Sequence, residues 1–295
     1  MGIEKAFKDS FHLFKDNLKF ILPHFFEYVL DFALFIAFVI FAVLLIGVSL
    51  LRASFSSFQN PEALASHLGA SGFFIVSLLI LATLVLILAT VIFSASSRTA
   101  IIGMAKEGLK LKKTSLSTGW INVKEHGLMV FGFIILLGII LIPLVFLGFF
   151  PAIIVSFFNG SGFLRMASLF FSVLLSFLFV AIVYILIMFT PQCIVLESLG
   201  IIDGVKRSYA FVKNNVLLVL EYLVIAVVIS IFVIVATSIG FLPLKFITRG
   251  STLGGLVVKI FENLISLLAG LILTPYFEIV KTHMVFEWKS NEIVD

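Results

Sequence analysis

Glu278 closes the last apolar run of this 295-residue chain, four residues after Thr274 and three after Pro275. That run, Asn263–Phe277, holds 15 residues, about 22 Å of helix, which is short of the ~30 Å hydrocarbon core of a bilayer. Either Glu278 or the Lys259/Glu262 pair must therefore enter the apolar zone or lie against protein. A carboxylate so placed either serves solute or proton movement from a cavity, or snorkels to water where Pro275 simply ends the span. Proline removes a helix hydrogen bond and frees carbonyls, so Thr274, Pro275 and Glu278 read as the mouth of a cavity. Thr190-Pro191, followed by Glu197, repeats the pattern at the end of an earlier run.

His24, Glu27 and Asp31 form a second constellation. Their i, i+3, i+7 spacing puts them within a ~60° sector of one helix, suited to binding a cation, relaying protons or pairing with Lys19 or Lys206. One stripe does not close a metal coordination shell, so neither a metal nor a cofactor is expected. Asp31, Glu125 and Glu221 each precede an uncharged run, where the helix dipole favours an acid by about 0.5 kcal/mol. That placement accounts for them without function, and Glu221 stays with the cavity candidates only because of its position.

The elements that must carry these residues are membrane helices. Uncharged runs cover Phe32–Leu51, Ala63–Ser66 with Leu68–Ser97, Gly127–Leu164, Met166–Leu196 and Tyr222–Leu244, besides the short sixth run. Hydrophobic residues make up 61% and charged residues 12%, with a mean hydropathy of +1.24. Soluble domains sit near 45–50% and 25%. The chain is therefore expected to be an all-α polytopic membrane protein with six transmembrane helices and no separate soluble catalytic domain. Polar sequence fills the first twenty positions, so no cleavable signal peptide is expected. Cys193 is the single cysteine, which excludes a disulfide framework. Asn60-Pro61 predicts a short surface helix, Pro143 or Pro151 predicts the end or a kink of the third span, and Asn159-Gly-Ser161 matches a glycosylation sequon that reads better as a turn.

Two segments repeat each other. Gly2, Ile3, Lys8, Ser10, Lys15 and Asn17 recur as Gly200, Ile201, Lys206, Ser208, Lys213 and Asn215. In the first, Ile3, Phe7, Phe11, Phe14 and Leu18 share one helical face, matched by Ile201, Val205, Tyr209, Val212 and Val216 in the second. The opposite faces carry Lys8, Lys206 and Arg207, as in helices lying on a membrane surface. A degenerate copy begins near Ser117–His126. The expected architecture is three parallel hairpin units, roughly 1–104, 105–196 and 197–295, each led by a cytoplasmic interfacial amphipathic helix.

Fifteen of the 20 Lys and Arg residues fall in the N-terminal segment, the second and fourth connections and the tail. By the positive-inside rule both termini are cytoplasmic. The expected partners are the bilayer, with anionic lipid at its cytoplasmic face, and a docked protein. No basic platform interleaved with aromatics is present, so nucleic acid is not expected. Phosphate-loop, zinc-helix and nucleophile-elbow motifs are missing, which argues against an enzyme.

Pro191-Gln-Cys-Ile-Val-Leu-Glu-Ser-Leu-Gly-Ile-Ile-Asp-Gly-Val-Lys-Arg-Ser-Tyr-Ala-Phe-Val-Lys-Asn-Asn215 resembles the signature between hairpins in the membrane domain that accompanies some glycerophosphoryl diester phosphodiesterases, and in related six-span proteins of bacteria and archaea. The resemblance implies a six-span architecture and brings no catalytic residue, since the phosphodiesterase chemistry belongs to a separate domain. It points to a prokaryotic plasma membrane, and few amides suit a thermophilic archaeon. The function so indicated is a non-catalytic membrane scaffold or accessory subunit. The alternative is a small-solute or ion transporter with a cytoplasm-facing cavity near Glu278.

Overall fold

The computed structural model describes residues 2–57, 61–157, 161–248 and 251–292, except the side chains of 48–57 and 61–72. Among them only helices occur: α1 (Ile3–Asp16), a 3-10 turn (Leu18–Phe20), α2 (Ile21–Ser57), α3 (Pro61–Leu111), α4 (Leu116–Phe157), α5 (Gly162–Ile187), α6 (Thr190–Glu197), α7 (Ile201–Asn214), α8 (Val216–Ile247) and α9 (Thr252–Glu292). Six of the helical segments are long and apolar enough to cross a membrane.

The helices outrun the apolar runs that announce them. Helix α9 has 41 residues and carries Pro275 inside it, so the 15-residue run is only its middle. At its start Glu262 meets Lys245 of α8 at 2.5 Å. Helix α3 has 51 residues and begins at Pro61. Proline at a helix start is preorganised, and nothing between it and the apolar run stops the helix. The expected short surface helix is thus the first turn of α3; Asn60 lies outside the described residues, as do Asn159 and Gly160 of the sequon.

Proline acts differently at its several positions. The third span does not end at Pro143 or Pro151, for α4 runs through both. Polar contacts with α5 flank this stretch: Ala152 N donates to Ser172 Oγ at 3.0 Å, and Ser176 Oγ donates to the Val145 carbonyl at 3.2 Å. Gly148 lets the two helices touch, because a Cβ there would lie 2.5 Å from Ser176 Cα. Such small-residue contacts are how helices pack where water supplies no driving force. Thr190-Pro191 breaks the helix between α5 and α6. Thr274-Pro275 does not, for α9 continues through Pro275, which leaves the Leu271 carbonyl without its helix donor.

The chain divides into two compact units, Met1–His24 with Ala95–Asp295, and Phe25–Ser94. The smaller is the apolar stretch of α2 and α3, where Leu34, Phe38, Ala82 and Leu86 line a slot. In the larger unit, burial concentrates where the last turns of α3, α5 and α9 meet α1, α6, α7 and the first turns of α4 and α8. Phe189, Phe211, Tyr222 and Met284 pack together there, beside Phe14, Phe20, Ile101, Met104 and Ile279.

Helices α1 and α7 are each 14 residues long and share their ends. Each starts after an extended glycine, Gly2 or Gly200, and stops at an asparagine, Asn17 or Asn215. Each asparagine side chain caps the carbonyl four residues back, Asn17 on Leu13 at 3.0 Å and Asn215 on Phe211 at 2.9 Å. Their protein-facing stripes differ from the expected faces. Ala6, Ser10, Leu13 and Phe14 are buried in α1, and Gly204, Ser208, Phe211 and Val212 in α7. Phe11 and Tyr209 are 53% and 49% exposed. Small residues admit the neighbouring helix closely, which leaves Phe11 and Tyr209 outward, while Phe14 and Val212 of the expected faces stay buried. The segment Ser117–His126 forms no helix of its own; it is the first part of α4.

Candidate functional site

Glu278 lies on α9 in the packed end of the larger unit and is 5% exposed. Both carboxylate oxygens are engaged. Lys281, one turn later on the same helix, donates to Oε1 at 2.7 Å. Gln192 Nε2 donates to Oε2, also at 2.7 Å. The break at Met188–Phe189 restarts the chain as α6, and α6 sets Gln192 against α9. Thr282 Oγ1 donates to the Glu278 carbonyl at 2.7 Å. Arg98 near the end of α3 adds a positive charge within electrostatic reach. A carboxylate with one oxygen on an ammonium and the other on an amide is an ion-pair partner, and an incoming cation would have to compete with Lys281 for its charge.

A second polar seam joins α1 to α9. His283 Nδ1 lies 3.4 Å from Ser10 Oγ and its Nε2 3.2 Å from Glu287 Oε1, and Lys5 Nζ lies 3.5 Å from the same oxygen. The order serine, histidine, acid is that of a nucleophile, base and orienting group. Ser10 is wholly buried, however, so its hydroxyl is closed to substrate and the trio pins the two helices. Tyr276 completes the seam. Its hydroxyl donates to the Phe7 carbonyl at 3.1 Å, and the rings of Phe7, Phe11 and Phe14 stand 6.0, 6.4 and 6.2 Å from its own.

The third cluster centres on Arg207 of α7. Its guanidinium donates to Glu197 of α6 at 3.1 Å and to both carboxylate oxygens of Glu292 on α9, with its carbon 4.1 Å from the centroid of the Trp288 ring. The hydrogen bonds to Glu292, then to Glu197, push its pKa up from the ordinary value and outweigh the opposing effect of burial. Lysine cannot reproduce a planar, bidentate and stacked contact. Arg207→Lys is therefore expected to loosen the end of α9, raising hydrogen exchange at 286–292 about tenfold while leaving α8 unchanged. Unaltered exchange at 286–292 would count against the clamp.

The structure gathers only part of the expected cavity set. Thr274 is half-buried and Pro275 buried one turn before Glu278. Glu221 is exposed on α8 and stands outside the cluster. His24 is buried, while Glu27 and Asp31 are half-buried farther along α2; each of the three has an interaction partner. Lys8 and Lys206 are exposed, the latter 3.5 Å from Asp203, and Val205 is half-buried against the core. Among the described residues, no three His, Cys, Asp or Glu side chains assemble as metal ligands.

Gln192, Arg98, Ser10 and His283 escape the reading of the sequence. A signal for Gln192 exists: it is the one amide in the run Met166–Leu196 and follows Thr190 by two residues, as Tyr276 follows Thr274. Ser10 is marked only by its recurrence as Ser208, and nothing comparable marks His283, which is distant in the chain and ordinary for a helix surface.

No curated protein and no solved structure matches the chain. Residues 85–280, well over half of the chain and the part that holds Arg98, Gln192 and Glu278, match one family model, and the chain belongs to that family, the domain of unknown function DUF7847.

Proposed function

We propose that the protein is a non-catalytic membrane scaffold or accessory subunit, a plasma-membrane protein whose packed end lies on the cytoplasmic face and holds lipid or a docked protein. One observation carries this reading: the charged groups that could have lined a pathway, Glu278, Lys281, Arg207, Glu197 and Glu292, are spent on one another. Transport needs a charge that can exchange its partner, and a pair joined within one helix turn does so poorly.

The cytoplasmic assignment rests on the uneven Lys/Arg distribution, and the link between α1 and α9 is consistent with both termini on one side. The common length and caps of α1 and α7 support three related hairpin units with interfacial helices, in which Phe11 and Tyr209 face lipid. The likeness of Pro191–Asn215 to the membrane domain of the diester phosphodiesterases supports the same architecture.

The test is flux. Vesicles carrying the purified protein are expected to leak protons, potassium and phosphate no faster than protein-free vesicles. Flux abolished by Glu278→Gln at constant folded protein would transfer the assignment to a transporter. In cells, Cys placed at Ser161 or Ser251 in a Cys193→Ser background should react with impermeant reagent from outside; reaction only after lysis would reverse the orientation.

A further inference from the structure

We propose that the corner between α3 and α4 is a docking surface for anionic phospholipid headgroups, an inference that rests on the membrane reading above. The inner face of α4 is fixed by packing. A Cβ at Gly119 would lie 3.1 Å from Met104 Sδ, and one at Gly103 would lie 2.4 Å from Asn122 Cγ. His126 is buried, its Nε2 3.2 Å from Ser198 Oγ. The opposite face is thereby committed to the surroundings of the protein.

That outer face carries Leu116, Trp120, Lys124 and Leu128 at four-residue spacing, with Trp120 61% and Leu128 80% exposed. Lys124 Nζ lies 5.7 Å from the centroid of the Trp120 ring. The ammonium has bent back toward the helix start, away from the apolar Leu128. A lysine reaching out of hydrocarbon toward headgroups adopts this posture, and an exposed tryptophan beside it marks the interfacial level.

The preceding turn supplies the charge. Helix α3 is followed by Lys112 at φ 58°. Glu107 holds the turn, accepting from Thr114 Oγ1 at 3.1 Å and from Ser115 N at 3.0 Å. Asn17 Oδ1 accepts from Thr114 N at 3.3 Å. Lys110, Lys112 and Lys113 are thus exposed on a braced turn, and its acid is already occupied. Of the nearby acids, Glu125 lies 3.9 Å from His126 Nδ1 and Asp16 adjoins Asn17, so the lysines outnumber the acids at this corner. Four ammonium groups beside an indole and an apolar helix face match a lipid surface bearing phosphate. The apolar half of that face makes lipid, rather than a free phosphate, the occupant.

The full chain is reconstituted in phosphatidylcholine vesicles containing brominated phosphatidylglycerol or, at equal mole fraction, brominated phosphatidylcholine. Tryptophan quenching is expected to be about twofold stronger with the anionic lipid. Trp120→Phe should remove that difference, because Trp288 packs between Arg207 and Phe211. Combined Lys112→Gln, Lys113→Gln and Lys124→Gln should bring the two lipids to equality. Equal quenching of the unaltered protein by both lipids overturns this proposal alone. No quenching by either overturns it together with the membrane reading.

Discussion

Glu278→Gln is expected to lower the unfolding free energy by roughly 3–5 kcal/mol, the usual cost of stranding one member of a buried ion pair. The amide keeps a hydrogen bond from Gln192 by rotating, so the loss arises from Lys281, whose side chain is 10% exposed and would have no counter-charge. Arg98 makes matters worse, since its field at this position opposes a second uncompensated cation. The double variant Glu278→Gln/Lys281→Met removes both charges and is expected to recover most of the loss, because a buried pair is often no more stable than an apolar replacement. Detergent-solubilised thermal melts of the wild type, both single variants and the double variant give the coupling. If the double variant is as unstable as the sum of the singles, the pair is not what holds Gln192 and α6 to α9.

Gly148→Ala is the second large effect. Its added methyl would lie 2.5 Å from Ser176 Cα and 2.6 Å from Ser176 N, and backbone atoms cannot rotate away as a long side chain can. Helices α4 and α5 must separate, which costs about 1–3 kcal/mol for overpacking and stretches the bond from Ser176 Oγ to the Val145 carbonyl. Gly138→Ala is the internal control. It lies in the same helix and meets nothing within 4 Å, so the gain in helix propensity of about 0.5–1 kcal/mol remains. The two substitutions should move the melting temperature in opposite directions. A fall of equal size at both positions would mean that backbone propensity, not contact, sets the response.

What could be read beforehand follows the physics of each feature. Apolar length is a local property, so all six spans were legible. The starts of α1 and α7 after Gly2 and Gly200 were legible, but their ends were not: the expected faces ran on to Leu18 and Val216, whereas the asparagines stop both helices. The protein-facing stripe of those helices was legible only in part: Phe14 and Val212 are buried as their faces imply, whereas Phe11 looks buried by size but stays exposed because the small Ala6 and Ser10 let α9 approach. Proline was ambiguous for a similar reason. Its effect depends on what meets the backbone around it, so Pro151 sits inside α4 and Pro191 starts a new helix, with no difference visible in the chain. The shortness of the run Asn263–Phe277 required that either Glu278 or the Lys259/Glu262 pair enter the apolar zone or lie against protein, and did not choose between them. The Glu278 partner Gln192, 86 residues away, depended on how α6 restarts after the break.

The seam between α1 and α9 sets an order of events at the ribosome. Lys5 and Ser10 are made well before Glu287 and His283, with a separation of 282 residues for the first pair and 273 for the second. Until α9 is made, α1 must wait with Ser10 lacking its His283 partner, and contacts this distant in sequence form late. A chain in which α9 has not docked would expose the buried stripe of α1 to quality-control proteases, so the docking of α9 acts as the cover that completes the packed end.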